Sequence, residues 1–192
     1  YIFSCLNTDK VCVFTDSGRM HTIKVLDLPF GKFRDKGTPI DNVSNFDSSA
    51  EQMVFVSSLS GIKESMLFFA TKTGMLKQVA GTEFDVSKRT IAATKLAEGD
   101  RLILVQIADP MEYVVLQTKN GIFLRFMKEE VPDKKKTAIG VRGIRLTEDD
   151  QVEHAYLLES RTEYTVTYKE KNVTLNRLKL AKRDTKGTKI RL

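Results

Sequence analysis

Few side chains in this sequence could do chemistry, and none forms a recognisable catalytic pattern. Glu148, Asp149 and Asp150 offer the carboxylate oxygens that Mg²⁺ prefers. They precede an apolar run, however, where acidic residues commonly serve a turn, so we expect a turn here, with a metal site as the alternative. The five tyrosines lie in strand-like contexts, and a tyrosine nucleophile would need an activating partner. No Walker-type phosphate loop is present. We predict no catalytic, cofactor-binding or metal-binding residues.

The cysteines and histidines do not suggest a cross-linked or zinc-binding protein. Cys5 and Cys12 form no repeated spacing, and His21 and His154 are the only histidines. Two reduced cysteines are typical of a cytosolic protein. No apolar stretch approaches the roughly 20 residues of a membrane helix, and no signal peptide is visible. The chain begins at Tyr1 instead of Met, which suggests an excised segment.

Positive charge is concentrated near the end of the sequence. The formal net charge is +6, and nine basic residues lie between Lys169 and Leu192 against only Glu170 and Asp184. A second basic cluster runs from Lys134 to Lys136. Such clustering is expected of a surface that binds a polyanion. Lysine-rich outer strands that stay soluble and avoid edge pairing would give the same pattern, and charge alone leaves both interpretations open.

The elements that must position these side chains form a repeat. Four copies of a strand–turn–strand pattern occur, each with Gly or Asn where the turn needs a positive φ. The four turn residues, at intervals of 56, 47 and 51 positions, are Gly18, Gly74, Gly121 and Asn172. A second series, at intervals of 50, 50 and 46 positions, consists of Phe46, Leu96, Leu146 and Leu192. Two series that share one period indicate an array of blades.

The repeat predicts a single all-β domain of about four four-stranded blades. We place the blades at residues 1–59, 60–107, 108–157 and 158–192. The second landmark of the fourth unit falls on the last residue, so we expect the fourth blade to be incomplete. An array of blades protects its edges only if it closes or is capped. We therefore expect the native protein to continue beyond Leu192 or to close by strand exchange.

The repeats resemble a known family. Gly140-Val-Arg-Gly-Ile-Arg-Leu146, followed by an acidic turn and Val152, is similar to a pattern of Gly-Val-x-x-Ile-x-Leu-x-x-x-Asp-x-Val. That pattern belongs to the C-terminal domain of the A subunit of bacterial type IIA DNA topoisomerases, namely DNA gyrase and topoisomerase IV. The segment His21–Gly37, which contains Leu28-Pro29 and several basic residues, is similar to a Leu-Pro, basic, Lys-x-x-Gly stretch of the topoisomerase IV type. Each motif is weak, but four repeats in phase are fairly specific.

The resemblance implies a β-pinwheel, in which neighbouring blades exchange a strand and a basic outer rim binds and bends double-stranded DNA. It also implies a cytoplasmic, nucleoid-associated parent enzyme that uses ATP and Mg²⁺ through other domains and pairs with an ATPase B subunit. In this family the third and fourth residues after the turn glycine are often Lys-Arg, and only Lys77 and Arg125 match. The expected DNA-binding residues are Lys77, Lys95, Arg125, Lys134, Lys135, Lys136, Arg142, Arg145, Arg177, Lys179 and Arg191.

One family motif is missing. Gyrase carries a box similar to Gln-Arg-Arg-Gly-Gly-Lys-Gly for wrapping DNA, and Lys134–Gly140 is only a poor match. Either the box lies outside this sequence or the protein is not a wrapping gyrase. We favour a topoisomerase IV-like or atypical gyrase-like protein that bends DNA without strong wrapping. The competing class is a propeller that binds proteins, whose apolar interface should tolerate salt better than phosphate contacts do. A propeller glycosidase would need converging carboxylate pairs, which the sequence does not suggest.

Overall fold

The computed structural model of the protein describes residues 1–190 and consists almost entirely of β-strands. The strands of the first half are β1 (Lys10–Thr15), β2 (Arg19–Lys24), β3 (Met53–Ser58), β4 (Met66–Thr71), β5 (Met75–Ala80), β6 (Thr90–Ala92) and β7 (Leu102–Ile107). Those of the second half are β8 (Tyr113–Thr118), β9 (Ile122–Met127), β10 (Val141–Arg142), β11 (Val152–Leu158), β12 (Thr165–Tyr168), β13 (Lys171–Thr174) and β14 (Thr188–Lys189). One short α-helix, α1, spans Leu59–Ile62.

Each unit is built on an antiparallel hairpin, and a single turn of 3-10 helix follows its second strand. These helical turns are Val25–Asp27 after β2, Gly81–Phe84 after β5, Lys128–Glu130 after β9 and Leu175–Arg177 after β13. A further 3-10 turn, Ile40–Asn42, lies in the long connection that precedes β3. Within residues 1–190, no helix has the length and apolar character that a membrane crossing requires.

The strands form three four-stranded sheets and one two-stranded sheet. Their spatial orders are β3-β1-β2-β6, β10-β5-β4-β7, β11-β8-β9-β14 and β12-β13. The fourth strand of each complete sheet comes from the following unit: β6 pairs with β2, β10 with β5, and β14 with β9. This exchange confirms the predicted all-β pinwheel. The fourth sheet has only two strands among the residues described, as expected for an incomplete blade.

Three of the four predicted turn residues are confirmed. Gly18, Gly74 and Gly121 have φ values of 79°, 83° and 79°. Each donates its N–H to the carbonyl of the last residue of the preceding strand, for example Gly18 to Thr15 at 3.0 Å. A residue with a Cβ adopts this backbone only at a cost, so glycine lets a three-residue turn close each hairpin.

The fourth turn was predicted wrongly. Asn172 lies inside β13 and pairs with Thr167, while the positive φ values fall on Lys169 and Glu170. The pairing of Tyr168 with Lys171 leaves only two residues in this turn. The loop is one residue shorter than in the other hairpins, and a two-residue turn needs positive φ at both central positions.

Two members of the second landmark series, Leu96 and Leu146, pack against turn glycines. A Cβ on Gly18 would lie 3.0 Å from Cδ1 of Leu96, and one on Gly74 would lie 3.8 Å from Cδ1 of Leu146. Each leucine follows the strand that its unit donates to the preceding sheet. The shared period of the two series therefore reflects a direct contact between neighbouring units. Leu192, the last member, lies outside the described residues.

The hydrophobic core lies between successive sheets. Phe14, Phe69 and Phe84 pack between the first two sheets, with ring centroids 5.1 to 6.1 Å apart. A second cluster around Phe68 and Phe126 joins the second and third sheets. Of the two cysteines, Cys5 is exposed and Cys12 is buried in the first cluster. Burial, followed by the nearby carboxylate of Asp9, raises the pKa of the Cys12 thiol to about 12, so this thiol stays protonated.

Candidate nucleic-acid interface

A basic loop recurs at one topological position in the units. In the second, third and fourth units the chain leaves the second strand of the hairpin, makes its 3-10 turn, crosses a basic loop and then enters the strand donated to the preceding sheet. In the first unit the corresponding basic loop leads to β3 of the same sheet. Exposed basic residues of these loops are Lys32, Arg34, Lys36, Lys88, Arg89, Lys134, Lys135, Lys179 and Lys182. Because the sheets are related by the repeat, the loops line the same side of the array, at the ends of β2, β5, β9 and β13 away from the hairpin turns.

Lys77 does not lie on this exposed surface, so the expectation of an accessible Lys77 is wrong. Only 1% of the residue is exposed, and its Nζ donates hydrogen bonds to the carbonyls of Lys135, Lys136 and Ala138 at 3.1, 3.1 and 2.7 Å. Burial lowers the pKa of Lys77 to about 8. The physical reason for burial is that three carbonyls replace the water around the ammonium. Lys77 thus positions the loop that carries the lysine cluster.

The cluster Lys134–Lys136 is held by the preceding unit. Lys136 donates its backbone N–H to the Glu83 carboxylate at 2.9 Å and its Nζ to the Glu83 carbonyl at 2.9 Å. Lys134 is exposed, and Lys135 is exposed with its Nζ 3.6 Å from the Glu83 carboxylate. The loop therefore presents two of its three ammonium groups to solvent, while the third fixes it in place.

Arg125 is half-buried and makes two contacts within the domain. Its guanidinium lies 4.2 Å from the centroid of the Tyr113 ring, and Nη1 donates to the carbonyl of Leu178 at 3.1 Å. Nε is buried and has no hydrogen-bond partner among residues 1–190. Stacking on the ring partly offsets the loss of hydration of the cation. Arg125 therefore anchors the loop that carries Lys179 and is only partly available to an external phosphate.

Arg142 and Arg145 share one carboxylate at the exposed surface. Nε of Arg142 lies 2.6 Å, and Nε of Arg145 3.4 Å, from Oδ1 of Asp184. The hydrogen bond from Arg142 is the largest cause that lowers the pKa of Asp184. Two arginines beside one carboxylate leave a net positive charge. A phosphate suits this place, because its oxygens accept hydrogen bonds from both guanidinium groups.

Three further predicted residues are accessible. Lys95 and Lys179 are exposed, and Arg177 is exposed beside Glu163, whose carboxylate oxygen lies 2.9 Å from its Nη2. Arg191 lies outside the described residues. The structure thus brings Lys134, Lys135 and Lys179 to equivalent loops, but it places Lys95, Arg142 and Arg145 on or beside the exchanged strands instead.

In the second and third units, a carboxylate two residues before the last strand serves the hairpin turn of its own unit. Oδ1 of Asp100 accepts from the N–H of Thr73 at 3.0 Å, and Oδ1 of Asp150 accepts from the N–H of Asn120 at 3.0 Å. Across residues 1–190, no three His, Cys, Asp or Glu side chains converge as they would around a metal ion. Sequence reasoning missed Glu51, which precedes β3 as Asp100 precedes β7. Its place two residues before an apolar run, which Asp100 and Asp150 share, could have revealed it.

Comparison with known proteins agrees with this architecture. The family described as "DNA gyrase C-terminal domain, beta-propeller" matches residues 65–109 and 112–159. The A subunit of DNA gyrase from Deinococcus deserti is 38% identical over 148 residues, which are 75% of this chain and 18% of that protein. Its counterpart from Lawsonia intracellularis is 32% identical over 157 residues, which are 81% of this chain and 19% of that protein. The chain spans about a fifth of the length of these curated relatives.

A solved structure extends the similarity to almost the whole chain. The crystal structure of the C-terminal domain of DNA topoisomerase IV superposes with a TM-score of 0.87 at 25% identity, over 96% of this chain and 59% of that one. The sequence relatives are gyrases and this structural relative is a topoisomerase IV, so assignment to one of the two enzymes stays a prediction. The repeats, the relatives and the strand exchange of this chain together show that it belongs to the family of C-terminal β-pinwheel domains of DNA gyrase and topoisomerase IV A subunits.

Proposed function

We propose that this domain binds double-stranded DNA through its basic loops, without reading sequence, and bends it around the rim. The observation that carries the proposal is the recurrence of a basic loop after the second strand of successive hairpins. Lysine and arginine at the rim neutralise phosphates and release counterions, which gives affinity without base contacts. Bending brings more of the rim to the backbone and offsets an elastic cost of about 1–6 kcal/mol.

The contacts assigned to DNA in this proposal come from three groups. Lys134, Lys135 and Lys179 lie in the basic loops, and Lys95, Arg142 and Arg145 lie beside the exchanged strands. Arg125, Arg177 and Arg191 complete the proposed set, while Lys77 and Lys136 act by positioning the cluster. The domain itself performs no covalent chemistry. It presents DNA to the catalytic core of an ATP-dependent type IIA topoisomerase, paired with an ATPase B subunit, in the bacterial cytoplasm at the nucleoid.

A salt titration with matched charge reversals tests this proposal. If about five to seven phosphates are contacted, the logarithm of DNA affinity should fall with the logarithm of salt at a slope of about −4.5 to −6. Lys134→Glu/Lys179→Glu changes the basic loops, and Lys72→Glu/Lys119→Glu makes the same charge change in two hairpin turns. The first variant should bind all sequences more weakly, with a slope about two units shallower.

The control variant separates the effect of where the charge lies from the effect of the net charge on DNA affinity. It should lose much less affinity than the loop variant, because long-range attraction is screened at moderate salt. Equal losses in the two variants, or binding that hardly changes with salt, would contradict a DNA path along the loops. Retained binding to a protein partner at high salt would instead favour a protein-interaction scaffold.

A further inference from the structure

Two phenylalanines project from the basic loop of the first unit. Phe30 is 99% exposed and Phe33 is 98% exposed, so both rings lie almost wholly in water. A phenylalanine ring carries a large apolar area, which proteins normally bury. Neither ring therefore contributes to the core of this domain, and their exposure requires an explanation outside it.

The backbone holds this loop in a defined shape. Asp35 donates its N–H to the carbonyl of Lys32 at 2.9 Å, and its carboxylate accepts from the N–H of Lys32 at 2.7 Å. Phe33 is thus the second residue of a closed turn, and the charge of Asp35 is directed to the backbone of its own loop. The exposed ring lies at the tip of this turn, which reduces the conformational freedom lost on binding.

The place of the loop in the repeat indicates what it meets. It follows the 3-10 turn Val25–Asp27, as Lys134–Lys136 follows Lys128–Glu130 and Lys179 follows Leu175–Arg177. It also carries Lys32, Arg34 and Lys36 on either side of Phe33. An apolar protein surface would gain little from three flanking cations, whereas a polyanion is attracted by them. The basic flanks and the shared position both favour DNA as the occupant.

We propose that Phe30 and Phe33 form an apolar wedge that inserts between neighbouring base pairs where the DNA bends. This inference rests on the proposed function and adds how the bend is made. Phenylalanine side chains inserted from the minor groove unstack a base step and kink the duplex, and the flanking cations hold the adjacent phosphates. Pyrimidine–purine steps unstack most easily, so the wedge should favour TA and CA/TG steps.

The test measures affinity, bending and unstacking separately on the same duplex. Fluorophores at the two ends report bending by energy transfer, and a fluorescent adenine analogue at a central TA step brightens when it unstacks. Binding of the wild-type chain should brighten the analogue and shorten the end-to-end distance. Phe30→Ala/Phe33→Ala should abolish the brightening, reduce the bend and weaken binding by roughly tenfold. The salt slope should stay the same, because no phosphate contact is removed.

Two further variants make the result specific. Phe30→Leu/Phe33→Leu keeps apolar side chains and should retain most of the unstacking. Ile2→Ala/Leu6→Ala removes exposed apolar groups outside the loop and should behave as the wild type. All three variants change exposed side chains, so equal melting temperatures serve as the folding control.

Each contrary outcome has its own meaning. Salt-dependent binding and bending without brightening, or an alanine variant that brightens and bends as the wild type, would overturn the wedge while leaving DNA binding intact. Self-association of the wild type that the alanine variant loses, with DNA bending unchanged, would assign the rings to a protein contact instead. If the wild-type chain fails to bind duplex DNA at low salt, the proposed function fails and the wedge fails with it.

Discussion

Nε2 of His21 lies 2.5 Å from a carboxylate oxygen of Glu51, and both side chains are buried. The other oxygen of Glu51 accepts hydrogen bonds from the hydroxyls of Thr15 and Ser17, each at 2.7 Å. Nδ1 of the histidine lies 2.9 Å from Oγ1 of Thr90, which belongs to the exchanged strand β6. One buried network therefore connects the first hairpin turn, the start of β3 and a strand donated by the next unit.

This network predicts an acid-sensitive contribution to stability. Burial alone would raise the pKa of Glu51, but hydrogen bonds from Ser17, Thr15 and His21 outweigh it and lower that pKa below its ordinary value of 4.5. A lowered folded-state pKa contributes stability that is present above about 4.5 and is lost as the pH falls through the lowered value. Glu51→Gln should cost about 1–3 kcal/mol near neutral pH and lose less stability on acidification than the wild type.

Urea unfolding of both proteins across the acid range measures this difference. Glu98→Gln, a change at an exposed residue, is the matched control and should follow the wild type. Parallel loss of stability in the Glu51 variant and the wild type below the ordinary carboxyl pKa would show that other groups control acid unfolding.

The second prediction concerns Lys77 and the lysine cluster. Lys77→Met keeps an unbranched apolar chain but removes the ammonium that the three loop carbonyls accept from. Unsatisfied buried acceptors cost about 1–3 kcal/mol, so the loop at 134–138 should detach locally. Limited trypsin digestion should then cut after Lys134–Lys136 faster than in the wild type. Lys95→Met, which changes an exposed lysine, is the control and should leave the cleavage rate unchanged. Equal cleavage rates in the two variants would show that Lys77 does not position the loop.

The third prediction separates backbone strain from crowding at two glycines. Gly121 has φ of 79°, and an added Cβ would overlap the ring and hydroxyl of Tyr168. Gly99 has φ of 73°, but a Cβ there would meet no atom within 4 Å. Gly99→Ala should destabilise by about 1 kcal/mol through φ alone, and Gly121→Ala by clearly more. Thermal unfolding measures both. Equal losses would mean that Tyr168 moves aside without cost.

The fourth prediction concerns DNA topology. The box that gyrase uses for wrapping has no match in this chain, so we expect bending without strong chiral wrapping. Ligation of nicked plasmid in the presence of the purified chain should change the linking number little, although the DNA is bound. A C-terminal domain of gyrase that carries the box serves as the positive control. A large positive shift with this chain would show that the basic loops alone impose a handed path.

The repeat could be predicted from sequence because its signals are local. Gly18, Gly74 and Gly121 occupy turns that only glycine adopts cheaply, and the flanking strands alternate or are apolar throughout. Asn172 misled the prediction because the fourth hairpin is one residue shorter, which sequence alignment of the units does not reveal. The fourth unit also has two non-glycine residues at positive φ, Lys169 and Glu170.

The surroundings of Lys77 and Glu51 could not be predicted, because their partners are distant in the chain. Lys77 binds carbonyls about sixty positions later, and whether a strand lysine faces solvent or a neighbouring loop depends on that tertiary contact. The exchanged strands β10 and β14 have only two residues each, too few for any period to show. The basic residues of the loops could be seen in the sequence as clusters of positive charge. That the loops occupy equivalent positions in successive units could be seen only from the order of the strands in the sheets.

The strand exchange has a consequence for how such arrays can grow or shrink in evolution. The second, third and fourth units each give a short strand to the sheet before them, and that sheet accepts the strand at the same place, beside β2, β5 or β9. Duplication or deletion of one whole internal unit therefore leaves each remaining donor with an acceptor. A cut inside a unit does not: a chain that stopped after β9 would lack β10 and leave the edge of β5 unpaired. Genetic changes in blade number should accordingly begin and end at equivalent hairpin positions.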